Sequence, residues 1–260
     1  MNSRRLRTSV VGPLRRVARR LGYDVVRYDG KLDGQPGHPF DPDFGEDERA
    51  VWDRVCPFTM TSAERVAAVC RAVKYLVSSG IAGDIVECGV WRGGSIMAAA
   101  LTLLQLGDTG RDLWLFDTFE GMTEPTERDV SFTGMSASTE LKARNGIWCD
   151  ATLDDVERNV GSTGYDPGHV HFVKGRVEET IPAQCPGAIS LLRLDTDWYE
   201  STKHELAHLF PKLARGGVLI IDDYGHWRGS RQATDEYFQE AGIQVLLNKV
   251  DYTGRICVKP

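Results

Sequence analysis

Residues 83–95 (GDIVECGVWRGGS) restrict the possible folds more than any other stretch of the 260-residue chain. The apolar run at 84–88 predicts a short buried strand, the following IMAAALTLLQL predicts a helix, and glycines fill the turn between them. Glycine lets the backbone of such a turn come close to a ligand, because no Cβ blocks the approach. Glu87 stands near the carboxyl end of the strand, where a doubly wound sheet holds an adenosine-like ligand. A turn with a purely structural role is the alternative interpretation.

The rest of the chain alternates predicted strands with predicted helices, which is the pattern of a mostly parallel sheet with helices on both faces. We therefore predict a doubly wound α/β fold with a seven-stranded sheet. The remaining strands are predicted at 112–117, 169–174, 189–194, 218–221, 244–248 and 254–258. One helix is predicted to follow the capping box at 61–64 and run to about residue 79, and further helices are predicted at 152–160, 201–213 and 229–240.

Acidic residues stand at the ends of four of these strands. Parallel strands end at one edge of their sheet, and open α/β sheets bind ligands there. We therefore expect one site to contain Glu87, Asp117, Asp195, Asp222 and Asp223. A carboxylate in the position of Asp117 accepts hydrogen bonds from ribose hydroxyls; a turn or helix cap is the alternative.

Asp195, Asp222 and Asp223 offer oxygen ligands from two strand ends. Clustered carboxylates repel one another unless they share a cation or a proton. A set of oxygen ligands without His or Cys favours Mg²⁺ or Ca²⁺ over Zn²⁺. Asp197 is a substitute or supporting ligand in this hypothesis, and helix capping by some of these aspartates is the alternative.

Two histidine-containing segments need separate interpretations. HELAH at 204–208 fits the zinc-peptidase pattern, but helical periodicity places His204 and His208 away from the apolar stripe of their helix, which favours two surface histidines. His226 follows the Asp-Asp-Tyr loop and is a candidate for contacting a substrate hydroxyl; an exposed polar side chain is the alternative.

Charge is distributed unevenly along the chain. Residues 1–21 contain seven arginines and no acidic residue, so the rest of the chain contains 24 basic and 37 acidic residues. An acidic body argues against nucleic acid as a partner, because phosphate binding requires a basic face. The basic arm predicts a helix that contacts an anionic membrane surface or a partner subunit, or else a solvated arm.

A hydrophobic fraction of 42% and a charged fraction of 26% are typical of a soluble globular protein. Six scattered cysteines without a paired spacing indicate reduced thiols and a cytoplasmic location. No apolar run approaches the roughly 18 residues that span a bilayer, and the N-terminus lacks the apolar core of a secretory signal.

We divide the chain into a basic arm with a covering loop at 1–60 and an α/β domain at 61–260. We expect little regular structure at 31–60, and we assign none at 123–149.

Four segments together resemble the macrocin O-methyltransferase family, whose members methylate sugar hydroxyls on macrolides and aminocoumarins. They are DIVECGVWRGGS (84–95), LFDTFEGM (115–122), LLRLDTDWYEST (191–202) and GGVLIIDDYGHWRGSRQATDEYF (216–238). The resemblance implies a class I methyltransferase fold of the Rossmann-like type, S-adenosylmethionine (SAM) as the methyl donor, Mg²⁺ and a sugar hydroxyl as the acceptor.

The resemblance also implies roles for individual residues. Asp195 would take the hydroxyl proton, and the segment PFTMTS (57–62) would cover the substrate. SAM would contact Glu87, Gly89 and Ser95. Its ribose would contact Asp117, and its adenine would lie against Gly175, Arg176 and Val177. Mg²⁺ would be held by Asp195, Asp222 and Asp223.

Other functions remain as alternatives. A nicotinamide-dependent oxidoreductase would use the same fold, although Glu-x-Gly-x-x-x-Gly is not the Gly-x-Gly-x-x-Gly of dinucleotide-binding proteins. A zinc peptidase would use His204 and His208, and a non-catalytic role would use the basic arm. The sugar acceptor is expected to be a deoxysugar of a natural product or a bacterial oligosaccharide such as a mannoside, and the protein is expected to form a homo-oligomer.

Overall fold

The computed structural model describes residues 43–143 and 149–260. Residues 44–260 form one compact unit. The basic arm and the first part of the predicted 31–60 loop lie outside the described residues, so the proposed boundary at residue 60 stays a prediction. In the described part of the chain, no helix is long and apolar enough to cross a bilayer.

The described elements alternate as the sequence predicts. The strands are β1 (Asp84–Cys88), β2 (Leu113–Asp117), β3 (Val170–Lys174), β4 (Ile189–Leu194), β5 (Leu213–Ile221), β6 (Asn248–Lys249) and β7 (Arg255–Val258). The helices are α1 (Glu46–Val55), α2 (Ala63–Ser78), α3 (Gly94–Leu106), α4 (Ala137–Ala143), α5 (Leu153–Gly161), α6 (Val177–Thr180), α7 (Tyr199–Leu209) and α8 (Arg228–Ala241). Short 3₁₀ turns lie at Cys56–Phe58, Pro167–His169 and Phe210–Lys212.

The sheet has seven strands in the order β3-β2-β1-β4-β5-β7-β6, which confirms the predicted fold class. The first five strands of this order are parallel, and β7 runs antiparallel to β5 and to β6. The chain builds outward from β1 to β3 and then returns to start β4 on the other side of β1. This reversal opens a crevice between the carboxyl ends of β1 and β4, where ligands of doubly wound sheets bind.

Two apolar layers cover the sheet, because successive side chains of a strand point to opposite faces. Ile85 of β1 and Leu191 of β4 pack with α1, α2, α3 and α5 on one face. Val86 and Leu192 pack with α7 and α8 on the other face. The central strands are therefore buried on both sides, which is why they read as nearly continuous apolar runs.

One segment differs from the sequence prediction. We predict a loop throughout 31–60, whereas residues 46–55 form α1. Its first turn carries three acids, and the Glu48 side chain accepts a hydrogen bond from the Gly45 amide at 3.1 Å. Val51 and Val55 are buried in the core. Two apolar residues one turn apart and a capped, acidic N-terminus are sufficient for this helix, despite the Gly- and Pro-rich sequence before it.

The strand predicted at 244–248 is also displaced. Pairing with β7 is limited to Asn248 and Lys249. Val245 and Leu247 pack against the core while Leu246 is 76% exposed. The alternating apolar pattern therefore indicates correctly which side chains contact the core, although the backbone of residues 244–247 does not pair with a neighbouring strand.

Candidate active site

The acids at the strand ends converge because of strand register. Glu87 of β1 lies directly beside Arg193 of β4. Residues 85, 191 and 220 all belong to the core layer under α2 and α3. By the two-residue period of a strand, Glu87, Arg193 and Asp222 therefore project toward this same layer.

Arg193 is the centre of the resulting ion-pair network. Its guanidinium lies 2.5 Å from Glu87 Oε1, 2.6 Å from Asp222 Oδ1 and 2.8 Å from Asp195 Oδ2. Burial opposes the charged form of Arg193, but these three carboxylates raise its pKa well above the ordinary value. A buried arginine with three acidic partners is fully charged, and it fixes the relative positions of β1, β4 and the loop after β5.

A second arginine enters the network from α2. Arg65 pairs with Asp222 on one side and with Asp251 at 3.0 Å on the other. Ser62, the N-cap of α2, donates a hydrogen bond to Asp251 at 2.9 Å. The start of α2 is thereby attached both to the strand-end acids and to the loop between β6 and β7.

Asp195, Asp222 and Asp223 each place an oxygen within 4.8 Å of the others. We call these three residues the aspartate trio. Burial raises the pKa of Asp195 and Asp223 well above the ordinary aspartate value, and repulsion among the acids adds to this. Burial raises the pKa of Asp197 to about 7, with repulsion by Asp195 next in size, and burial raises that of Glu87 to about 7.

The aspartate trio fits a hard divalent cation. The local network sets two guanidinium groups against six carboxylates, those of Glu87, Asp195, Asp197, Asp222, Asp223 and Asp251. Burial is the main cause of the raised pKa values and repulsion among the carboxylates adds to it, so a cation among the oxygens would favour their charged forms. All ligands are oxygens, as Mg²⁺ and Ca²⁺ require. In the described part of the chain, the trio is the one group of three or more His, Cys, Asp or Glu side chains whose ligand atoms all lie within 4.8 Å of one another.

Asp117 supports the glycine turn after β1. Its Oδ2 accepts hydrogen bonds from the Val90 amide at 2.6 Å and the Trp91 amide at 3.1 Å, while Oδ1 accepts one from the Phe119 amide at 2.8 Å. These contacts agree with the turn-capping interpretation. Oδ2 thus already accepts two hydrogen bonds and Oδ1 retains acceptor capacity, so a ribose hydroxyl would have to donate to Oδ1, and a ribose contact by Asp117 stays a prediction.

The glycine turn and the aspartate trio are in direct contact. Gly89 has a φ of 80°, and a Cβ at this position would overlap the carbonyl oxygen of Asp195. Glycine is required there both by its left-handed backbone and by the close approach of the second chain segment.

The segment 57–62, which we call the covering segment, lies over the glycine turn. The Arg92 side chain donates to the Pro57 carbonyl at 3.1 Å and lies over the Phe58 ring at 5.0 Å. Gly94 packs so closely below that an added Cβ would lie 2.6 Å from the Phe58 carbonyl oxygen. Thr59 and Met60 line the cavity, and the role of this segment in covering a substrate stays a prediction.

These elements enclose a cavity of about 360 Å³ at the carboxyl edge of the sheet. A narrower lobe of about 60 Å³ adjoins it and shares Gly89, Asp117 and Asp195 with it. Of the predicted site residues, the cavity is lined by Glu87, Gly89, Ser95, Asp117, Asp195, Asp222, Asp223 and His226, and the lobe by Gly175, Arg176 and Val177. The structure thus brings all the candidates together, while their individual roles stay predictions.

His226 lines the cavity and follows the aspartate trio in the chain. Its amide donates to the Asp223 carbonyl at 3.0 Å, and its Nδ1 lies 3.2 Å from the Tyr252 hydroxyl. Burial lowers the pKa of His226. The imidazole is therefore neutral at physiological pH and can both donate and accept a hydrogen bond.

The HELAH segment does not form a metal site. His204 Nε2 lies 2.9 Å from the Ile181 carbonyl oxygen, and His208 Nδ1 lies 2.8 Å from the His204 carbonyl oxygen. Glu205 is buried and accepts a hydrogen bond from the Thr196 hydroxyl at 3.0 Å. Both histidines are half-buried, which corrects the expectation of surface side chains and leaves the zinc-peptidase hypothesis without a ligand set among the described residues.

Sequence reasoning overlooked Arg65, Arg193 and Asp251. Arg193 carries a readable signal, because a single arginine inside the apolar strand ISLLRL must pair with acids when the strand is buried. Arg65 and Asp251 carry no such signal. Arg65 sits on an amphipathic helix 157 positions before its partner Asp222, and only the folded chain shows the contact.

A doubly wound sheet in this order, with a glycine turn after β1 and acids at its switch point, defines a class I methyltransferase. The family model described as Macrocin-O-methyltransferase (TylF) matches residues 34–259. The chain belongs to this family and is an O-methyltransferase.

Named relatives share most of its length. The chain is 34% identical to the 8-demethyl-8-(2,3-dimethoxy-alpha-L-rhamnosyl)-tetracenomycin-C 4'-O-methyltransferase of Streptomyces olivaceus, over 87% of this chain and 81% of that protein. It is 32% identical to the mycinamicin III 3''-O-methyltransferase of Micromonospora griseorubida, over 75% and 76%. The solved structure of the O-methyltransferase NovP superposes with a TM-score of 0.69 at 29% identity, covering 78% of this chain and 82% of that one.

Proposed function

We propose that the protein transfers the methyl group of SAM to a hydroxyl of a sugar, with Mg²⁺ bound by Asp195, Asp222 and Asp223. The observation that carries the proposal is the direct contact of the glycine turn with the aspartate trio inside one cavity. A donor beside the turn and an acceptor beside the aspartates would place methyl and oxygen next to each other, and methyl transfer depends on this alignment.

On the donor side, the adenosine part of SAM would lie along Gly89, Ser95 and Asp117, with its adenine in the lobe at Gly175, Arg176 and Val177. Glu87 supports this assignment in one respect. Its Oε1 pairs with Arg193, whereas its buried Oε2 accepts no hydrogen bond from the described residues. A buried acceptor without a partner is costly, and a donor group of the cofactor would satisfy it.

On the acceptor side, an alcohol is a poor nucleophile until its proton is removed. Bound Mg²⁺ would lower the pKa of the sugar hydroxyl. Asp195 is the acid in the trio best placed to accept the proton, since its side chain is 25% exposed whereas Asp222 and Asp223 are buried. When bound, SAM would supply the methyl group and its sulfur would keep the electrons of the broken bond, while Asp195 would accept the proton of the attacking hydroxyl. Neutral His226 would hold a neighbouring hydroxyl of the sugar.

The choice of a sugar rests on the relatives. The Streptomyces olivaceus enzyme is named for 4'-O-methylation of a rhamnosyl-tetracenomycin C, and the Micromonospora griseorubida enzyme for 3''-O-methylation of mycinamicin III. We infer a deoxysugar of a natural product or a bacterial oligosaccharide such as a mannoside as the acceptor class.

A methyl-transfer screen over a panel of sugars, with Mg²⁺ or with EDTA, tests the proposal. Asp195→Asn should lower turnover on the order of 10²–10⁴-fold, the usual contribution of a general base. Glu87→Ala should weaken SAM binding in a calorimetric titration. Asp154→Asn is the matched control, because Asp154 is exposed on α5. Turnover that survives EDTA would remove Mg²⁺ from the mechanism, and unchanged SAM affinity in Glu87→Ala would refute the donor assignment.

A further inference from the structure

Arg65 lies where the covering segment meets the aspartate trio. It stands in the first turn of α2, shortly after Ser62, which ends the covering segment and is the N-cap of this helix. The Arg65 amide donates to Ser62 Oγ at 3.3 Å, and the Arg65 side chain lines the cavity. The position of the Arg65 guanidinium is therefore coupled to the end of the covering segment.

The Arg65 side chain joins two acids that come from different loops. It pairs with Asp222, after β5, and its Nε lies 3.0 Å from Asp251 Oδ2, in the loop between β6 and β7. Ser62 donates to the same Asp251 oxygen at 2.9 Å, and Asp251 Oδ1 accepts a hydrogen bond from the Gly254 amide at 2.7 Å. The contacts among Ser62, Arg65 and Asp251 form a closed ring, which fixes the end of the covering segment against the wall of the cavity.

Asp222 is shared between two arginines. Its Oδ1 accepts a hydrogen bond from Arg193 at 2.6 Å, and its Oδ2 accepts one from Arg65. A cation held by Asp222 must therefore share an oxygen with one of them. Arg193 is 4% exposed and has two further carboxylate partners, whereas Arg65 is 13% exposed and reaches the site from the end of a helix. Arg65 is the neighbour that can adjust to a cation.

Arg65 also acts on the trio through its charge. Burial opposes the charged form of Arg65, but attraction by Asp222, Asp195 and Asp251 raises its pKa above the ordinary arginine value. Two members of the trio therefore stabilise this positive charge. Since like charges a few ångströms apart repel, the same guanidinium opposes a divalent cation among these oxygens. An arginine in this position strengthens the attachment of the covering segment and weakens cation binding.

We propose that Arg65 is a positioning residue for methyl transfer, which holds the covering segment against the aspartate trio and shares Asp222 with the divalent cation. Its guanidinium then has opposite effects on two measurable properties. It orders the covering segment over the cavity, and it weakens the affinity of the trio for the cation. This inference rests on the proposed function for the cation, and it adds a residue that is not itself a ligand.

The test measures three properties in the same variants of the full chain. Titration calorimetry with MgCl₂ in the presence of S-adenosylhomocysteine gives the cation affinity. Hydrogen exchange of the amides of residues 58–62 reports the order of the covering segment, and initial rates at saturating Mg²⁺ give turnover. Arg65→Met should bind Mg²⁺ at least about tenfold more tightly, exchange faster at 58–62 and turn over about tenfold more slowly. A purely structural arginine would instead weaken cation binding and turnover together when replaced.

A second variant separates charge from geometry. Arg65→Lys keeps the positive charge but lacks the planar fork that joins two acids. It should keep Mg²⁺ affinity within about threefold of wild type and still exchange faster at 58–62, so it carries the test if Arg65→Met does not fold. Arg215→Met is the matched control and should change none of the three properties, because Arg215 is exposed on β5.

The outcomes separate this inference from the proposed function. Unchanged or weaker Mg²⁺ binding in Arg65→Met would overturn the role of Arg65 even if sugars are methylated, and so would unchanged exchange at 58–62 in Arg65→Lys. Tighter Mg²⁺ binding and faster exchange in Arg65→Met, without turnover of any sugar by the wild type, would support the role of Arg65 and overturn the proposed acceptor. Absence of Mg²⁺ binding in the wild type and in both variants would overturn the cation site and this inference with it.

Discussion

Replacing Arg193 with methionine should reveal how strongly the site depends on its buried cation. Methionine keeps the length and apolar contacts of the side chain but removes the charge that Glu87, Asp195 and Asp222 share. Removal of one partner from a buried ion pair costs about 3–5 kcal/mol, because the remaining charges are left uncompensated. For a chain of this size, we expect the melting temperature to fall by about 6–20 °C.

The loss should depend on pH in a defined direction. Burial raises the pKa of Glu87 to about 7 from the usual 4.5 of glutamate. The fold therefore favours the protonated carboxyl, and this contribution to stability is complete below about pH 4.5 and is lost as the pH rises through 7. Without Arg193, the pKa of Glu87 rises further. The difference between variant and wild type should therefore be smaller at pH 5.5 than at pH 7.5.

Urea and thermal unfolding of the full chain in EDTA, followed by circular dichroism at both pH values, measure this effect. Arg215→Met is the matched control, because Arg215 is exposed on β5, and it should change the unfolding free energy by less than about 0.5 kcal/mol. If Arg193→Met lowers the free energy of unfolding by less than about 1 kcal/mol, or by the same amount at the two pH values, then the acidic cluster does not depend on the charge of Arg193 and the reasoning is refuted.

Three further outcomes are expected. Gly94→Ala should raise the KM for SAM and lower the melting temperature, since its Cβ would lie 2.6 Å from a carbonyl oxygen of the covering segment; initial rates and calorimetry check this. The hydrogen bond that the His169 ring donates to Asp112 raises the pKa of His169. The stability that His169→Gln removes should therefore be present below pH 6.5 and vanish as the pH rises through the raised value, measured by urea midpoints at pH 5.5 and 8.5. The double variant H204Q/H208Q should keep full methyl-transfer activity. If the variant loses activity and the wild-type activity requires zinc, the conclusion that HELAH is not a metal site is wrong.

Much of the fold was predictable because its signals are local. Strand β1 and strand β4 begin and end where their apolar runs do, and both are confirmed at Asp84–Cys88 and Ile189–Leu194. The convergence of strand-end acids was also predictable, since it follows from parallel pairing alone. Helix α1 was missed because its cap and two buried valines are short signals within a loop-like composition.

Contacts between distant segments were the part that sequence could not supply. The pairing of Arg65 with Asp222 depends on where α2 rests on the sheet. The contact of Phe132 with His226, 94 positions further along the chain, is a backbone hydrogen bond that depends on how their two loops pack. Neither periodicity nor residue spacing predicts such contacts, because they depend on how whole helices, strands and loops pack together. Local patterns located the site, and tertiary packing determined its charge balance.

The contact between Gly89 and the Asp195 carbonyl has a consequence for engineering and for divergence within the family. The glycine turn after β1 and the loop after β4 are not independent modules, because the backbone of Asp195 occupies the space that a side chain at residue 89 would need. A graft of another member's loop after β4 onto this chain should leave the glycine turn intact only if residue 89 stays glycine and the grafted loop follows the same backbone path at residue 195. New acceptor ranges are therefore more accessible through substitutions on the rim of the site than through exchange of its central loops.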